Sequence, residues 1–215
     1  AVGSTLGPEG NLLNPQPTSC RQLLLDSPIL DNDDLRRIIH IADYEDASDF
    51  RTVVIPCLYP VRAGGEGLGK ALDHVRHLAS EAIADGATML VLSDRGANEE
   101  MAPIPSLLFT GAVHHHLIRE KTRTRVGLVV ECGDAREVHH MCLLIGYGAG
   151  AINPYLAFET IEDRIAEGRS MFHDANKAVA YYIKAATKGV LKVMSKMGIS
   201  TVAVSYTHLT LPTIL

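Results

Sequence analysis

The chain has 215 residues, of which 47% are hydrophobic and 21% are charged, and its formal net charge is −5. This composition is typical of a globular protein and excludes disorder of the whole chain, and the acidic balance argues against a dedicated nucleic-acid binder. The sequence has no stretch long and apolar enough to span a bilayer and no signal-peptide pattern at its start. It does not begin with methionine, which suggests a chain that was processed or cut from something longer.

The first half of the chain predicts two helices and two strands after an irregular lead-in over residues 1–30. A helix over 31–41 begins at Asp31, a suitable N-cap, and an apolar strand follows over 50–58. Residues 60–69 predict a glycine-rich loop. The next helix, over 68–83, has an unbroken i, i+3, i+4 apolar pattern and is ended by Gly86. Residues 87–92 then predict a buried strand.

The second half continues the alternation. A helix after Pro105 is predicted with this apolar stripe: Ile104, Leu107, Leu108, Gly111, His115 and Ile118. A buried strand over 126–130 precedes a helix up to Ile145, for which Asp134 and Glu137 resemble a capping box. A short strand over 151–153 is followed by helices over 156–167 and 174–197, the second ended by Gly198. Residues 199–204 predict a last strand.

This alternation of apolar strands with amphipathic helices predicts an α/β fold. The parallel strands alternate with helices in a partial barrel-like or an open sheet, covered on its faces. Functional residues of such folds lie at the carboxyl ends of the strands, which here are residues 93–95, 131–133 and 153–154.

Two glycine-rich segments invite a nucleotide-binding interpretation. Residues 64–71 (GGEGLGKA) nearly match a phosphate-binding loop in which Lys70 would reach the phosphates, but Ala71 stands where the magnesium ligand should be Ser or Thr. A flexible loop before a helix is the simpler interpretation. The glycines at 146, 148 and 150 follow a helix rather than a strand, so they do not form a dinucleotide fingerprint.

The histidines, cysteines and lysines have plain structural interpretations. Neighbouring residues on a helix point about 100° apart, so His114, His115 and His116 cannot converge on one metal ion, and only His115 is expected on the apolar stripe. For His139 and His140 we expect a core or interface pair, although Glu131 or Asp134 could orient one of them for acid–base work.

Free thiols in a reducing compartment are predicted for Cys20, Cys57, Cys132 and Cys142. A solvated helix face, or a contact surface for an acidic partner, is predicted for Lys184, Lys188, Lys192 and Lys196.

The most informative polar cluster is Ser93-Asp94-Arg95, which directly follows a buried strand. A side chain there can face a ligand, and Asp94 and Arg95 could equally pair with each other and cap the next segment. No catalytic constellation is complete, so the residues alone indicate a buried α/β scaffold.

Six blocks of sequence together resemble the large subunit of glutamate synthase. They are LGPEGNLL (6–13), LVLSDR (90–95), IPSLLFTGAVHHHLIR (104–119), AREVHH (135–140), LIGYGAGAINPYLAF (144–158) and LKVMSKMGIST (191–201). Residues 1–170 resemble part of the central domain of that family, and residues 171–203 resemble the start of its FMN-binding barrel. Residues 204–215 depart from the family and suggest a non-native tail.

The resemblance implies an oxidoreductase that makes glutamate from glutamine and 2-oxoglutarate with reducing equivalents, acting on CH–NH2 donors. The sequence of residues 135–140 and 151–159 is closer to that of the NAD(P)H-dependent forms than to that of the ferredoxin-dependent forms. FMN and an iron–sulfur cluster are implied for the full-length enzyme and none for this segment. The implied partners are the glutaminase and FMN-barrel domains of the same polypeptide, with a small NAD(P)H-oxidising subunit as a further one, and neither nucleic acid nor membrane.

The implied role of this segment is a scaffold that walls the ammonia path, in a cytoplasmic enzyme or, in a eukaryote, a plastid one. The family's cysteine nucleophile and cluster cysteines have no match among Cys20, Cys57, Cys132 and Cys142, so no catalytic, cofactor-binding or metal-binding residue is expected. Two alternatives remain at this point. One is a stand-alone α/β module that binds a phosphorylated small molecule through the 64–70 loop or the Ser93–Arg95 strand end. The other is a metal hydrolase that uses the histidines.

Overall fold

The computed structural model describes residues 3–10, 13–47 and 49–202. In chain order the strands are β1 Ser4–Leu6, β2 Leu23–Leu25, β3 Thr52–Pro56, β4 Leu58–Pro60, β5 Met89–Ser93, β6 Met101–Pro103, β7 Gly127–Glu131 and β8 Ala151–Asn153. The α-helices are α1 Asn32–Ile39, α2 Gly64–Ala84, α3 Ser106–Arg119, α4 Val138–Gly146, α5 Tyr155–Ala166 and α6 Ala175–Met197.

The central sheet has four strands in the order β3-β5-β7-β8, and each pairing is parallel. The prediction of parallel strands alternating with helices is therefore confirmed. Within the part of the chain that the structure describes, β3 and β8 are the outer strands, so the sheet is open. Because all four strands run in the same direction, their carboxyl ends meet at one edge.

Both faces of the sheet are covered, which explains the continuous apolar runs of its strands. Side chains alternate along β5: Leu90 and Leu92 belong to the larger core under the helices α2 to α6. Met89 and Val91 belong to a smaller core on the opposite face. That smaller core is closed by α1 and by the N-terminal segment.

The start of α1 and the end of α6 follow from single residues, as predicted. The Asp31 carboxylate accepts a hydrogen bond from the Asp34 N–H at 2.7 Å and caps α1. The Asp174 carboxylate accepts from the Lys177 N–H at 3.2 Å and caps α6. Gly198 ends α6 in the left-handed region with φ 71°, which glycine adopts without steric cost.

The structure corrects three element predictions. The lead-in is not wholly irregular, because β1 and β2 form an antiparallel pair. The strand predicted over 50–58 splits at Cys57. β3 stays in the main sheet, while β4 leaves its carboxyl edge and pairs antiparallel with β6. Residues 199–202 form no strand, and the remainder of the strand predicted over 199–204, like the tail at 204–215, lies outside the described residues.

Among the described residues, no helix combines the length and the apolar character needed to cross a membrane.

Gly148 lies where the chain leaves α4 and returns to the sheet. Its φ is +112°, and a Cβ built on it would lie 2.2 Å from Nδ1 of His114. His114 is only 4% exposed and cannot move away into solvent. Both the backbone and the packing therefore require glycine at this position.

We expect Gly148→Ala to destabilise the chain by about 3 kcal/mol or more, since a backbone penalty and an overpacking penalty add. Gly168→Ala is the matched control: its φ is also positive, at +69°, but nothing lies within 4 Å of the added Cβ. The control should cost only about 1–2 kcal/mol. Urea unfolding of the two variants measures the difference. Equal losses of unfolding free energy would show that the contact with His114 does not affect stability.

Candidate functional site

The candidate site is the carboxyl edge of the parallel sheet. The register aligns Pro56 of β3, Ser93 of β5, Glu131 of β7 and Asn153 of β8 across the four strands. Three of these four residues are polar, and all three are buried. Because a buried polar group needs a hydrogen-bond partner, this row of residues determines how the edge is closed.

Glu131 is the centre of this edge. Its two carboxylate oxygens accept from different donors: the Ser93 hydroxyl donates to Oε2 at 2.5 Å, and Nε of Arg95 donates to Oε1 at 2.7 Å. Nη1 of Arg95 also donates to Oε1 of Glu159 on α5 at 3.0 Å. One arginine thus joins a buried carboxylate in the sheet to a half-exposed carboxylate on the helix that follows.

Asp94 forms the second part of the edge. Both of its carboxylate oxygens accept from the Gly133 N–H, at 3.1 and 3.0 Å. Burial raises the pKa of Asp94, although the hydrogen bonds from the Gly133 amide and the Tyr155 hydroxyl act in the opposite direction. Burial, followed by the adjacent Asp94 charge, also raises the pKa of the Tyr155 phenol. The Arg95 guanidinium lies 4.2 Å from the centre of the Tyr155 ring, a cation–π contact.

These contacts correct one interpretation of the 93–95 cluster. Asp94 and Arg95 do not pair with each other, because Asp94 binds Gly133 and Tyr155 while Arg95 binds Glu131 and Glu159. The polar groups of Ser93, Arg95 and Glu131 satisfy one another, whereas the buried Oδ1 of Asn153 has no hydrogen-bond partner among the described residues. What the arrangement does chemically is to fix the strand ends of β5 and β7 against the start of α5.

The cysteines supply no nucleophile to this edge. Cys57 and Cys132 follow the ends of β3 and β7, are fully buried, and have pKa values that burial raises. A thiol with a raised pKa is mostly uncharged and unreactive at neutral pH. All four cysteines are free, as predicted. Within the described ranges, no group of three or more His, Cys, Asp or Glu residues could hold a metal ion.

The prediction of a glycine-rich loop over 60–69 is wrong. Residues 61–63 form a short 3-10 turn, and α2 begins at Gly64, so Gly65, Gly67 and Gly69 are helical. Lys70 forms an exposed ion pair with Glu66 at 2.7 Å, one helical turn away. Because residues 64–69 are helical, they do not form the loop between a strand and a helix that wraps a phosphate, and Lys70 is held by Glu66.

The predicted stripe of the third helix is also wrong, with a consequence for the histidines. The buried face of α3 is formed by Ser106, Phe109, Thr110, Val113, His114 and Leu117. His114, rather than His115, is therefore the buried histidine. The expectation that the three rings do not converge holds: His116 contacts the Ser80 hydroxyl at 2.8 Å, while His114 accepts from Nε of Arg123 at 3.0 Å.

The contact with Arg123 determines the charge of His114. Burial, then the Arg123 charge and then His115, lower the pKa of His114 to about 3. Nη1 and Nη2 of Arg123 donate to the carbonyls of Val126 and Gly148, both at 2.9 Å. A neutral imidazole and a fixed guanidinium thus tie the end of α3 to the start of β7 and to the turn after α4.

The second histidine pair and the predicted capping box are separate from this edge. His139 is exposed, and Nδ1 of His140 accepts from the Arg136 N–H at 3.1 Å. Glu131 is occupied by Ser93 and Arg95, so it does not orient either ring. The Asp134 carboxylate accepts from the Ser106 N–H at 3.0 Å and so caps α3 rather than α4.

Several residues of the edge were missing from the sequence interpretation. Tyr155 and Glu159 lie one turn apart on α5, immediately after the strand end at Asn153, and this i, i+4 spacing toward a strand end was a usable signal. The Asn153 amide donates to the Leu30 carbonyl at 3.1 Å and to Oδ1 of Asn32 at 3.0 Å. No local pattern could have revealed those bonds, since they span more than 120 residues of sequence.

The sequence of the chain is similar to that of one protein family over most of its length. The family model described as "Glutamate synthase central domain" matches residues 1–211. The large chain of an NADPH glutamate synthase from Bacillus subtilis is 45% identical over 200 residues, covering 92% of this chain and 12% of that protein. The NADH glutamate synthase of Schizosaccharomyces pombe is 39% identical over 197 residues, covering 91% and 9%.

A chloroplastic ferredoxin-dependent glutamate synthase from Spinacia oleracea is 36% identical over 209 residues, covering 91% of this chain and 12% of that protein. The chain thus spans about a tenth of the length of these relatives. Among solved structures, a mutant flavocytochrome b2 with pyruvate bound has a TM-score of 0.50 at 13% identity, covering 81% of this chain and 51% of that chain.

A mandelate oxidase mutant with the monooxide FMN adduct also has a TM-score of 0.50, at 15% identity, covering 83% of this chain and 61% of that chain. At such low identity, the likeness to solved structures concerns the fold alone. It supports the alternating strand–helix arrangement described above.

We expect Glu131→Gln to lower the free energy of unfolding by about 1–3 kcal/mol, because the change weakens two bonds at a buried acceptor. Glu159→Gln is the matched control, since it removes the exposed partner of the same arginine and should cost no more than about 1 kcal/mol. Urea unfolding of both variants measures these values. A larger loss for Glu159→Gln would contradict the central position of Glu131.

His114 should make the chain less stable in mild acid. Its folded pKa of about 3 lies below the ordinary value of 6.5, so the unfolded chain binds the proton first as pH falls below 6.5. The free energy of unfolding should therefore fall by about 1–3 kcal/mol between pH 7.5 and 4.5 on account of this residue. His114→Gln should flatten the pH profile measured by urea unfolding, and a profile as steep as that of the parent chain would contradict this assignment.

Proposed function

This chain belongs to the glutamate synthase central domain family, and from that premise we propose that it is the scaffold and ammonia-path segment of a glutamate synthase large chain. The complete enzyme would make glutamate from glutamine and 2-oxoglutarate with reducing equivalents, as an oxidoreductase acting on CH–NH2 donors. The observation that carries the proposal is the closed carboxyl edge. The position where an α/β protein normally keeps catalytic groups is occupied here by Ser93, Arg95 and Glu131 bonded to one another.

The proposed domain division places residues 1–170 in the central domain and 171–203 at the start of the FMN-binding barrel. The irregular segment between α5 and α6 supports a boundary at this point. The two parts would share a core, since Val190 and Met194 of α6 pack in the same cluster as the central strands. Residues 204–215 are proposed to be a non-native tail.

The electron donor is proposed to be NADPH or NADH, because the relatives named for those donors are 45% and 39% identical and the ferredoxin-dependent relative is 36% identical. The proposed partners are the glutaminase and FMN-barrel domains of the same polypeptide, with a small NAD(P)H-oxidising subunit as a further one. A cytoplasmic location is proposed, with a plastid as the eukaryotic alternative, as the chloroplastic relative suggests.

FMN and an iron–sulfur cluster would belong to other parts of the polypeptide. The residues of this edge do not fit a flavin phosphate, because Asp94, Glu131 and Glu159 make it acidic and Arg95 is already paired. The cysteines do not fit a cluster, which needs several convergent thiolates. The acidic edge and the helical conformation of residues 64–70, with Lys70 paired to Glu66, disfavour a stand-alone phosphate-binding module. The separation of the histidines disfavours a metal hydrolase.

The test is Arg95→Ala in the full-length large chain, with glutamine consumed, glutamate formed and free ammonia all measured. A scaffold beside the ammonia path predicts that the glutaminase and the ammonia-dependent half-reactions each stay within about three-fold of the parent, while ammonia escapes and the glutamate yield per glutamine falls. Loss of one half-reaction by about 100-fold or more would instead make Arg95 a catalytic group and contradict the proposal.

A further inference from the structure

Helix α6 has a buried stripe along most of its length. The stripe consists of Ala178, Val179, Ala186, Val190 and Met194, and the last four belong to the larger core of the sheet. A helix of 23 residues is about 35 Å long. The stripe therefore fastens α6 to the central core at several points rather than at one end.

The contact between α6 and α4 depends on a glycine. Gly189 lies in the interior of α6, and a Cβ built on it would be 2.3 Å from Cγ2 of Val138 on α4. Glycine is less favourable than alanine inside a helix, so helix propensity does not explain this residue. The close approach of the two helices does explain it, because the contact leaves no room for a methyl group.

Polar and aromatic contacts join α6 to three earlier segments of the chain. The Tyr182 hydroxyl donates to the Arg136 carbonyl, beyond the end of β7, at 2.8 Å. The Tyr182 ring meets Phe158 of α5 edge to face, with centroids 5.8 Å apart. The hydroxyls of Thr187 and of Ser27, in the lead-in, lie 2.9 Å apart. Helix α6 thus closes the helical side of the sheet against segments that are far apart in sequence.

The chain stays in the core after α6 ends. The Ile199 N–H donates to the Met194 carbonyl at 2.9 Å, and Val202 is 1% exposed and belongs to the larger core. The segment that precedes α6, residues 167–174, is by contrast irregular and mostly exposed. Slack in the chain therefore lies before α6 and not directly after it.

Resemblance and packing assign α6 differently. By resemblance, residues 171–203 begin the FMN-binding barrel, whereas by packing α6 belongs with the central sheet. Resting on the proposed function, we infer that α6 is a rigid strut that fixes the domain following it to the central sheet. The sheet, α6 and the chain up to Val202 open as one cooperative unit. This unit, rather than a flexible linker, sets the position of the next domain.

Hydrogen exchange measured by mass spectrometry on the full-length large chain tests this inference. In the parent enzyme, the slowest amides of α6, β5 and β7 should have opening equilibria that agree within about three-fold and respond alike to urea, because the members of one cooperative unit open together. An α6 that exchanges about ten-fold or more faster than β5 and β7 would overturn the inference. This comparison needs no variant.

Gly189→Ala supplies the second arm of the test. The added methyl group would push α6 away from Val138, so exchange should rise by about ten-fold or more in α6, in β5 and β7, and in the segment that follows residue 202. Gly69→Ala is the matched control, since Gly69 is also helical but has nothing within 4 Å of the added Cβ, and it should leave exchange in α6 unchanged. A rise confined to α6, or one that stops at residue 202, would contradict the strut.

A compensating variant keeps the test decisive where Gly189→Ala folds poorly. The double variant Val138→Ala, Gly189→Ala removes the Cγ atoms that the new Cβ would meet. Its exchange should return to within about three-fold of that of Val138→Ala alone, because the two changes are coupled through one contact. Additive effects of the two changes would show that this contact does not hold α6.

The readout is amide exchange and does not depend on glutamate formation. Separate opening of α6 in an enzyme whose Arg95→Ala variant leaks ammonia would reject the strut alone. Joint opening in an enzyme whose Arg95→Ala variant leaks none would reject the ammonia-path role alone.

Discussion

The parallel direction of the four central strands is the constraint on which the structure depends. It brings Ser93, Glu131 and Asn153 to one edge, all of them buried. A carboxylate buried without partners would cost several kcal/mol. Glu131 avoids that cost by accepting from both Ser93 and Arg95. Arg95 also donates to Glu159. The residue that neutralises the buried Glu131 therefore also holds the start of α5 at the strand ends.

The two faces of the sheet are closed in different ways. Helices α2, α3, α4 and α6 cover one face, whose core includes Leu92, Val130 and Val190. The other face is covered by α1 and the lead-in, with Leu6 and Leu35 in its core. In a complete barrel an inner face would be filled by the facing strands. Here the N-terminal segment takes that position, which explains how four strands remain a buried, open sheet.

The sequence was sufficient for features that depend on short-range chemistry. The alternation of parallel strands with helices, the cap at Asp31 and the end of α6 at Gly198 were predicted, since each follows from local pattern or from a single residue. The α3 stripe was mispredicted because that helix is apolar on more than one side, so a period alone could not select the buried face. His114 was consequently missed, as its partner Arg123 and its neighbour Gly148 come from other elements.

Tertiary contacts also overrode local propensity in the candidate site. Glycine favours loops, yet Gly65, Gly67 and Gly69 are helical, because the following turns of α2 pack on the sheet through Val75 and Ala79. The pairing of Arg95 with Glu131 could not be read from sequence, since the neighbouring Asp94 offered a nearer carboxylate. Asp94 was unavailable because the Gly133 amide, beyond the end of β7, already binds it. Which carboxylate an arginine selects is thus decided by strand register rather than by sequence distance.

The carboxyl edge of the sheet and the junction of α5 with α6 differ in how fully their side chains are covered and paired. At the carboxyl edge, acidic and basic groups neutralise each other and the strand ends are rigidly joined. Where α5 joins α6, by contrast, the Phe172 and Tyr181 rings are left partly exposed. A surface that has satisfied its own polar groups gains little from a partner, whereas exposed apolar rings gain about 25 cal/mol for each Å² that a partner covers.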